Sequence, residues 1–182
     1  MKAVRVIADA KLSWDDMPTP APAAGEVLIK VQATAINRAD LMQRMGLYPP
    51  PPGASDVMGL ECAGTIAAVG DGVTRWKEGD EVCALLSGGG YAQFAVAPEG
   101  SVLPVPQGLT MAHAACLPEV FATAYLNMYI EANLQQGEKV ILHAGASGVG
   151  TAGIQLAKAF GNPSFVTAGG DDKIQACVDL GA

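Results

Sequence analysis

Along its first half the chain alternates apolar and polar residues in short runs broken by Gly and Pro. Residues 4–8, 27–33, 62–69, 82–86, 92–97 and 102–105 each read as a strand, because successive side chains of a strand point to opposite faces. The run 62–69 is almost continuously apolar, and Gly70-Asp71-Gly72 supplies a turn after it. Ile36, Ala39, Leu41 and Met45 recur at helical spacing with Asn37, Asp40, Gln43 and Arg44 between them, which predicts a short helix over 36–45. Asp40 is expected to pair with Arg38 or Arg44 on the solvated face of that helix. The proline run 49–52 excludes helix and central strand. Strands this short, with this punctuation, predict a partly open β-barrel.

After Pro106 the pattern changes. Thr110 is placed to cap a short Ala-rich helix over 111–117. Residues 119–134 read as a longer helix, apolar nearly all round and therefore buried. A turn over 135–138 precedes the apolar run Val140-Ile141-Leu142, then Ala144-Gly145-Ala146-Ser147-Gly148-Val149-Gly150, then a helical stretch over 151–160. A strand follows over 164–168 and a helix over 173–180, with Asp171 or Asp172 as its cap and Gly181 as its stop. The whole is α/β with a β-rich front. The chain ends where a third parallel strand is expected, whereas a complete doubly wound dinucleotide fold needs two such halves. The expectation is an N-terminal portion, weak or inactive alone.

The order strand, glycine-rich turn, helix is what gives the motif weight. Such a turn aims backbone N–H groups and a helix N-terminus at one spot, which suits a pyrophosphate. Gly145, Gly148 and Gly150 allow the tight turn, close approach to phosphate and close helix–strand packing. The Ser147 hydroxyl either bonds a phosphate oxygen or simply tolerates the turn. A dinucleotide enzyme selective for NAD usually places an acidic residue about 20 residues beyond the turn. Asp171 and Asp172 fall near that distance, but the strand itself ends in the small, neutral Thr167-Ala168-Gly169-Gly170. Lys173, a cation in a helix's first turn, opposes the helix dipole unless an anion lies beside it. A 2′-phosphate would be that anion, so NADPH is the expected cofactor; a solvated surface lysine is the alternative.

Composition narrows the classes. Half of the 182 residues are apolar and 16% are charged, which argues against long disorder. A formal charge of −7 argues against nucleic-acid binding. No apolar run is long enough to span a bilayer, and the N-terminus lacks a signal peptide's apolar centre, so no membrane partner and a cytoplasmic location are expected. Cys62, Cys83, Cys116 and Cys177 form no Cys-x-x-Cys pair and each sits in an apolar run, so buried reduced thiols are expected and no metal site. His143 is expected to pack inside its strand.

Asn37-Arg38-Ala39-Asp40, Gly46-Leu47-Tyr48-Pro49-Pro50, Gly59-Leu60-Glu61, Gly88-Gly89-Gly90-Tyr91-Ala92, Pro118 with Thr123-Ala124, and His143 to Gly150 occur in this order along the chain. The set resembles the zinc-independent, ζ-crystallin-like quinone oxidoreductases of the medium-chain dehydrogenase/reductase superfamily. That resemblance implies a GroES-like catalytic domain over 1–118. It also implies a connecting helix and the first part of a Rossmann domain over 119–182, NADPH as cofactor, a quinone as substrate and, as in most relatives, a homodimer. It places small residues of the cofactor turn at Ala144, Ser147 and Gly150, a 2′-phosphate lysine at Lys173, and a threonine near the nicotinamide at Thr123. Zinc relatives carry a ligand near Asn37 and a His where this chain has Leu60; leucine cannot ligate a metal.

Metal-free hydride transfer needs aligned rings, exclusion of water and a donor for the developing oxyanion. Tyr48, between Gly46 and the proline run, is the candidate donor, unless its ring only stacks on the prolines. Asn37 is the second candidate, toward the nicotinamide ribose or a substrate oxygen. Reduction of an activated double bond in an enone needs the same geometry and is the alternative reaction. A catalytically silent NADPH-binding protein is the alternative from another class.

Overall fold

The computed structural model describes all residues from Met1 to Ala182. The chain divides into two compact units, Met1–Pro118 and Glu119–Ala182.

The first unit is built from antiparallel strands. β1 (Lys2–Ile7) and β2 (Lys11–Asp16) form a hairpin. β3 (Glu26–Thr34), β4 (Glu61–Val69), β5 (Glu81–Leu85), β6 (Phe94–Pro98) and β7 (Val102–Pro104) form a five-stranded sheet in the order β6-β3-β4-β5-β7. A single bridge between Ala3 and Ala92 ties the hairpin to the chain just before β6. Inward residues of the sheet make the core: Val27, Ile29, Cys62, Ile66, Val82, Ala84 and Val102 are buried together. This is the half-closed barrel that the strand spacing predicts.

The sequence pattern does not reveal β2. Its partner register requires Asp9 and Ala10 to adopt left-handed backbone (φ 59° and 55°), which no glycine announces. The Nε of Arg44 donates to the Ala10 carbonyl at 2.6 Å and holds that turn. Arg44 belongs to α1 (Arg38–Arg44), shorter at both ends than the apolar spacing suggests. The hairpin, β3 and α1 frame an apolar groove of about 630 Å³, with Leu12, Trp14, Ile36, Leu41, Met58 and Tyr91 on its walls.

A short helix, α2 (Met111–Ala114), is capped by Thr110, whose hydroxyl accepts from the His113 N–H at 3.3 Å. It packs on the sheet through Ala114 and Ala115 against Ala63 and Cys83. Cys116 follows it and is exposed, contrary to the expectation of four buried thiols; the chain has left the sheet by that point. Burial pushes the Cys62 thiol up to about 12 and raises that of Cys83. Iodoacetamide at pH 8 is therefore expected to label one thiol of the native chain, Cys116, and all four in urea, read by mass spectrometry. Labelling of Cys62 without denaturant would mean that the sheet opens.

In the second unit α3 (Pro118–Tyr125) passes into a π-type turn over Leu126–Glu131, so residues 119–134 are not one helix. Met128 points inward with Ala124, whereas Leu126 and Ile130 are exposed. β8 (Val140–Leu142), α4 (Gly148–Phe160), β9 (Ser164–Val166) and α5 (Asp171–Leu180) follow, with β8 and β9 parallel. α4 covers one face of this pair through Ala152 and Ala157, which pack with Val140 and Leu142. On the other face Ile141 and Phe165, partners in the register, are exposed. No helix of the chain is long and apolar enough to cross a membrane.

Candidate functional site

The glycine turn is the best-defined device of the second unit. β8 delivers the chain to Ala144, which takes left-handed backbone (φ 55°), and the Gly145 N–H bonds the Thr167 carbonyl at 2.9 Å. Ser147 then caps α4: its Oγ accepts from the Gly150 N–H at 3.1 Å. The helix thus begins at Gly148, three residues before the periodic apolar pattern starts, because the cap rather than the pattern sets the first turn. Capping satisfies one of the N–H groups that a helix start leaves unpaired; those of Gly148 and Val149 face away from the helix. The Ser147 hydroxyl keeps its own hydrogen to donate.

The glycines have separate steric reasons. A Cβ at Gly150 would lie 2.5 Å from the carbonyl oxygens of Ala144 and Gly145. At Gly145 it would lie 2.7 Å from the Val166 side chain and 3.2 Å from Cys177 Sγ. At Gly148 it meets only Val120 Cγ1, at 3.1 Å. Gly145 therefore lets the turn pack against β9 and α5, Gly150 lets α4 pack against the turn's own backbone, and Gly148 meets only one side-chain methyl. The residues fit a diphosphate: a cradle without side chains, a helix start with free N–H groups, and a hydroxyl donor.

Around the end of β9, Gly169 and Gly170 face open space. Gly170 is the N-cap of α5 and no side chain caps that helix, so neither Asp171 nor Asp172 serves as the cap; both lie inside the first turn. Lys173 stands in the same turn, exposed and without an ion pair. His143 does not pack inside β8. It is exposed, and its Nδ1 lies 3.1 Å from Thr167 Oγ1. Thr123 lies within α3, with its Oγ1 3.5 Å from Glu119 Oε1.

In the first unit the conspicuous feature is a buried polar network. Asn37 is the N-cap of α1 and forms a capping box with Asp40. The Asn37 N–H donates to Asp40 Oδ2 at 2.7 Å, and the Asn37 Nδ2 donates to Glu61 Oε1 at 2.8 Å. The Tyr91 hydroxyl donates to the same Asp40 oxygen at 2.7 Å. Asp40 is 2% exposed, Glu61 1% and Asn37 8%. Asp40 does not pair with Arg38 or Arg44 on a solvated face; capping turns it inward. Burial first, and the Asp40 carboxylate second, raise the Tyr91 hydroxyl above the ordinary tyrosine range.

Two glycines permit this crossing. A Cβ at Gly59 (φ 101°) would sit 2.6 Å from the Tyr91 nitrogen, and one at Gly90 would sit 2.9 Å from the Glu61 carbonyl oxygen. The Asn-x-x-Asp spacing signals the capping box in the sequence; nothing local signals Glu61 or Tyr91, which arrive from distant segments. Tyr48 lies outside the network, 46% exposed and without a hydrogen bond.

Comparison with known proteins agrees with this geometry. Residues 23–107 match the alcohol dehydrogenase GroES-like domain. A quinone oxidoreductase of Rattus norvegicus is 34% identical over the whole chain, which spans 57% of that enzyme's length. The CurK enoyl reductase structure is 34% identical, with a TM-score of 0.89 over 99% of this chain and 57% of that one. An NAD-dependent alcohol dehydrogenase structure is 31% identical, with a TM-score of 0.86 over 100% of this chain and 62% of that one. The chain thus spans little more than half the length of these relatives. Its first unit has the fold of a GroES-like domain.

Proposed function

We propose that this chain belongs to an NADPH-dependent, zinc-independent quinone reductase. On this reading its local motifs resemble those of the tumour-suppressor-inducible quinone oxidoreductase. The observation that carries the reading is the Ser147-capped turn, whose Gly145 and Gly150 have no room for a side chain and whose helix start, Ser147 to Val149, is exposed. The 34% identity to a quinone oxidoreductase over the full chain supports the substrate class.

NADPH, when bound, supplies the hydride. The chain's own residues do the rest. The N–H groups of Gly148 and Val149 and the Ser147 hydroxyl hold the diphosphate. Ala144 and Gly145 shape the turn beneath it. Gly170 leaves space for the adenosine ribose, and Lys173 meets the 2′-phosphate. Thr123 orients the nicotinamide carboxamide. Tyr48 and Asn37 donate hydrogen bonds to the acceptor oxygen as negative charge develops there. Tyr48 has the free hydroxyl this role requires. Reduction of an enone is the second reading, favoured by the likeness to the CurK enoyl reductase.

Titration calorimetry with NADPH and NADH tests the cofactor. Lys173→Glu is expected to weaken NADPH at least tenfold, on the order of 1.4 kcal/mol, and to leave NADH within twofold. Equal losses for both nucleotides would remove Lys173 from the 2′-phosphate. Turnover with 1,4-naphthoquinone or a straight-chain enone tests the reaction. NADPH binding without oxidation by either acceptor would mean a silent nucleotide-binding protein and would overturn the reductase reading.

A further inference from the structure

Strand β2 has one edge paired and one edge bare. Met1 and Met17 exchange backbone hydrogen bonds at 2.7 and 2.8 Å, which fixes the phase of the β1–β2 ladder. Such bonds alternate along an antiparallel pair. Ser13 and Asp15 therefore turn their backbone groups toward β1, and Leu12, Trp14 and Asp16 turn theirs outward. The β1 side obeys the same phase: the Val4 N–H, which must point away from β2, donates to the Tyr91 carbonyl at 2.8 Å. β2 has no second neighbour, because the hairpin is a two-stranded sheet. Leu12 and Trp14, whose backbone groups lie on the bare edge, also wall the apolar groove, and both are exposed. Lys11, Ser13 and Asp15 lie on the opposite face. Edge strands are commonly guarded by charge, and like charges facing each other repel a second copy. β2 instead carries Lys11 at one end and Asp15 and Asp16 at the other. Lys2 already holds Asp16 at 2.7 Å, whereas Asp15 has no ion pair and Lys11 has only the exposed Asp9 at 3.9 Å.

We propose that β2 is a self-association edge, through which two copies of this chain pair antiparallel about a two-fold axis at Ser13. Only outward residues can exchange backbone bonds across this edge. Setting Leu12 opposite Trp14 of the second copy gives each an apolar neighbour on the groove face. The two-fold axis makes that match twice. The same register sets Lys11 opposite Asp15 of the second copy, at non-hydrogen-bonded positions, where side chains come closest. Centring the pair on Trp14 instead sets Leu12 against Asp16, and centring it on Leu12 sets Lys11 against Ser13. Either loses the charge match. In the favoured register the two hairpins merge into one sheet. The inference uses residues of Met1–Pro118 alone and does not depend on the nucleotide reading.

Sedimentation velocity of the 182-residue chain tests it. Pairing through a single strand is weak, so the mass is expected to move from monomer toward dimer between about 5 µM and about 500 µM. Lys11→Asp sets Asp against Asp, and Asp15→Lys sets Lys against Lys. Each alone is expected to weaken association about tenfold, because the pair occurs twice. An equimolar mixture of the two variants restores both opposite-charge pairs and is expected to associate within about twofold of the wild type. Far-ultraviolet circular dichroism checks that each variant is folded. A second readout needs no variant. In the ¹⁵N-labelled wild-type chain, exchange of the Leu12 and Trp14 amide hydrogens is expected to slow about fivefold across the same concentrations. Those of Ser13 and Asp15, already bonded to β1, are expected to stay unchanged. A chain that remains monomeric at the highest concentration overturns the proposal and leaves the edge to a strand from another source. A dimer that ignores the charge exchanges, with Leu12 and Trp14 exchanging freely, overturns it too and places the contact elsewhere, such as the exposed Ile141 and Phe165 face. Failure to bind NADPH counts against the reductase reading alone.

Discussion

Gly150→Ala is expected to abolish dinucleotide binding, raising the Kd for NADPH by at least a hundredfold. The added methyl would approach the Ala144 and Gly145 carbonyl oxygens to 2.5 Å, and the Gly145 carbonyl carbon to 2.7 Å. These are backbone atoms, so no rotamer change relieves the clash, and α4 must move away from the turn. Ser147 then loses the Gly150 N–H that it caps at 3.1 Å, a further loss of about 1 kcal/mol. Clash and lost cap together amount to roughly 3 kcal/mol or more, the range of severe single substitutions. Gly148→Ala is the informative control, because its methyl meets only a Val120 methyl group at 3.1 Å, which can shift. It is expected to keep the fold and to weaken binding by filling the space in front of the helix. Calorimetry with NADPH reads binding, and far-ultraviolet circular dichroism reads the helices. Wild-type affinity in Gly150→Ala would show that the diphosphate does not sit at this turn.

The turn was legible in the sequence because its signal is local: apolar strand, small residues, helix, in that order. The five-stranded sheet was legible for the same reason, since each strand is a short local run, alternating or, for β4, almost continuously apolar, bounded by Gly or Pro. What was not legible depends on partners distant in sequence or on unusual backbone. β2 alternates, but it lies between polar positions and follows a turn made by Asp9 and Ala10, which give no glycine signal. The inward turn of Asp40 depends on Tyr91, which arrives from beyond β5, and Asn37, which also bonds Asp40, is held in turn by Glu61 in β4. A helix-face reading that sees Arg38 and Arg44 beside Asp40 finds a surface ion pair, whereas the Asn37-x-x-Asp40 capping box was the better local clue. The π-type turn over Leu126–Glu131 has no sequence signature in an apolar run, because the widening shows only in which residues face inward.

Asp40→Ala is expected to destabilise the first unit by about 3 kcal/mol or more. One carboxylate oxygen, Oδ2, accepts both the Asn37 N–H and the Tyr91 hydroxyl at 2.7 Å, in a site that is 2% exposed. Alanine orphans the Asn37 N–H and leaves the Tyr91 hydroxyl only the longer bond to the Ala35 carbonyl at 3.3 Å; a buried unpaired donor costs about 1–3 kcal/mol and the emptied side-chain volume adds to it, partly offset by removing a buried charge. Tyr91→Phe removes one donor together with its need for an acceptor and is expected to cost only about 1 kcal/mol. Arg38→Ala and Arg44→Ala separate this account from a surface ion pair, in which either arginine would matter as much as Asp40. Arg38→Ala is expected to be silent, and Arg44→Ala to cost only its bond to the Ala10 carbonyl. The chain's two tryptophans, Trp14 and Trp76, both lie in Met1–Pro118, so urea unfolding followed by tryptophan fluorescence reports the first unit by itself. The same network carries a pH signature. Tyr91 holds its proton more tightly folded than unfolded, so its contribution is complete below the unfolded tyrosine range near pH 10 and falls away as pH rises above it. Tyr91→Phe is expected to remove that alkaline loss. An Asp40→Ala chain as stable as the wild type would mean that the carboxylate's burial costs as much as its two bonds return, and that α1 is held by its apolar contacts alone.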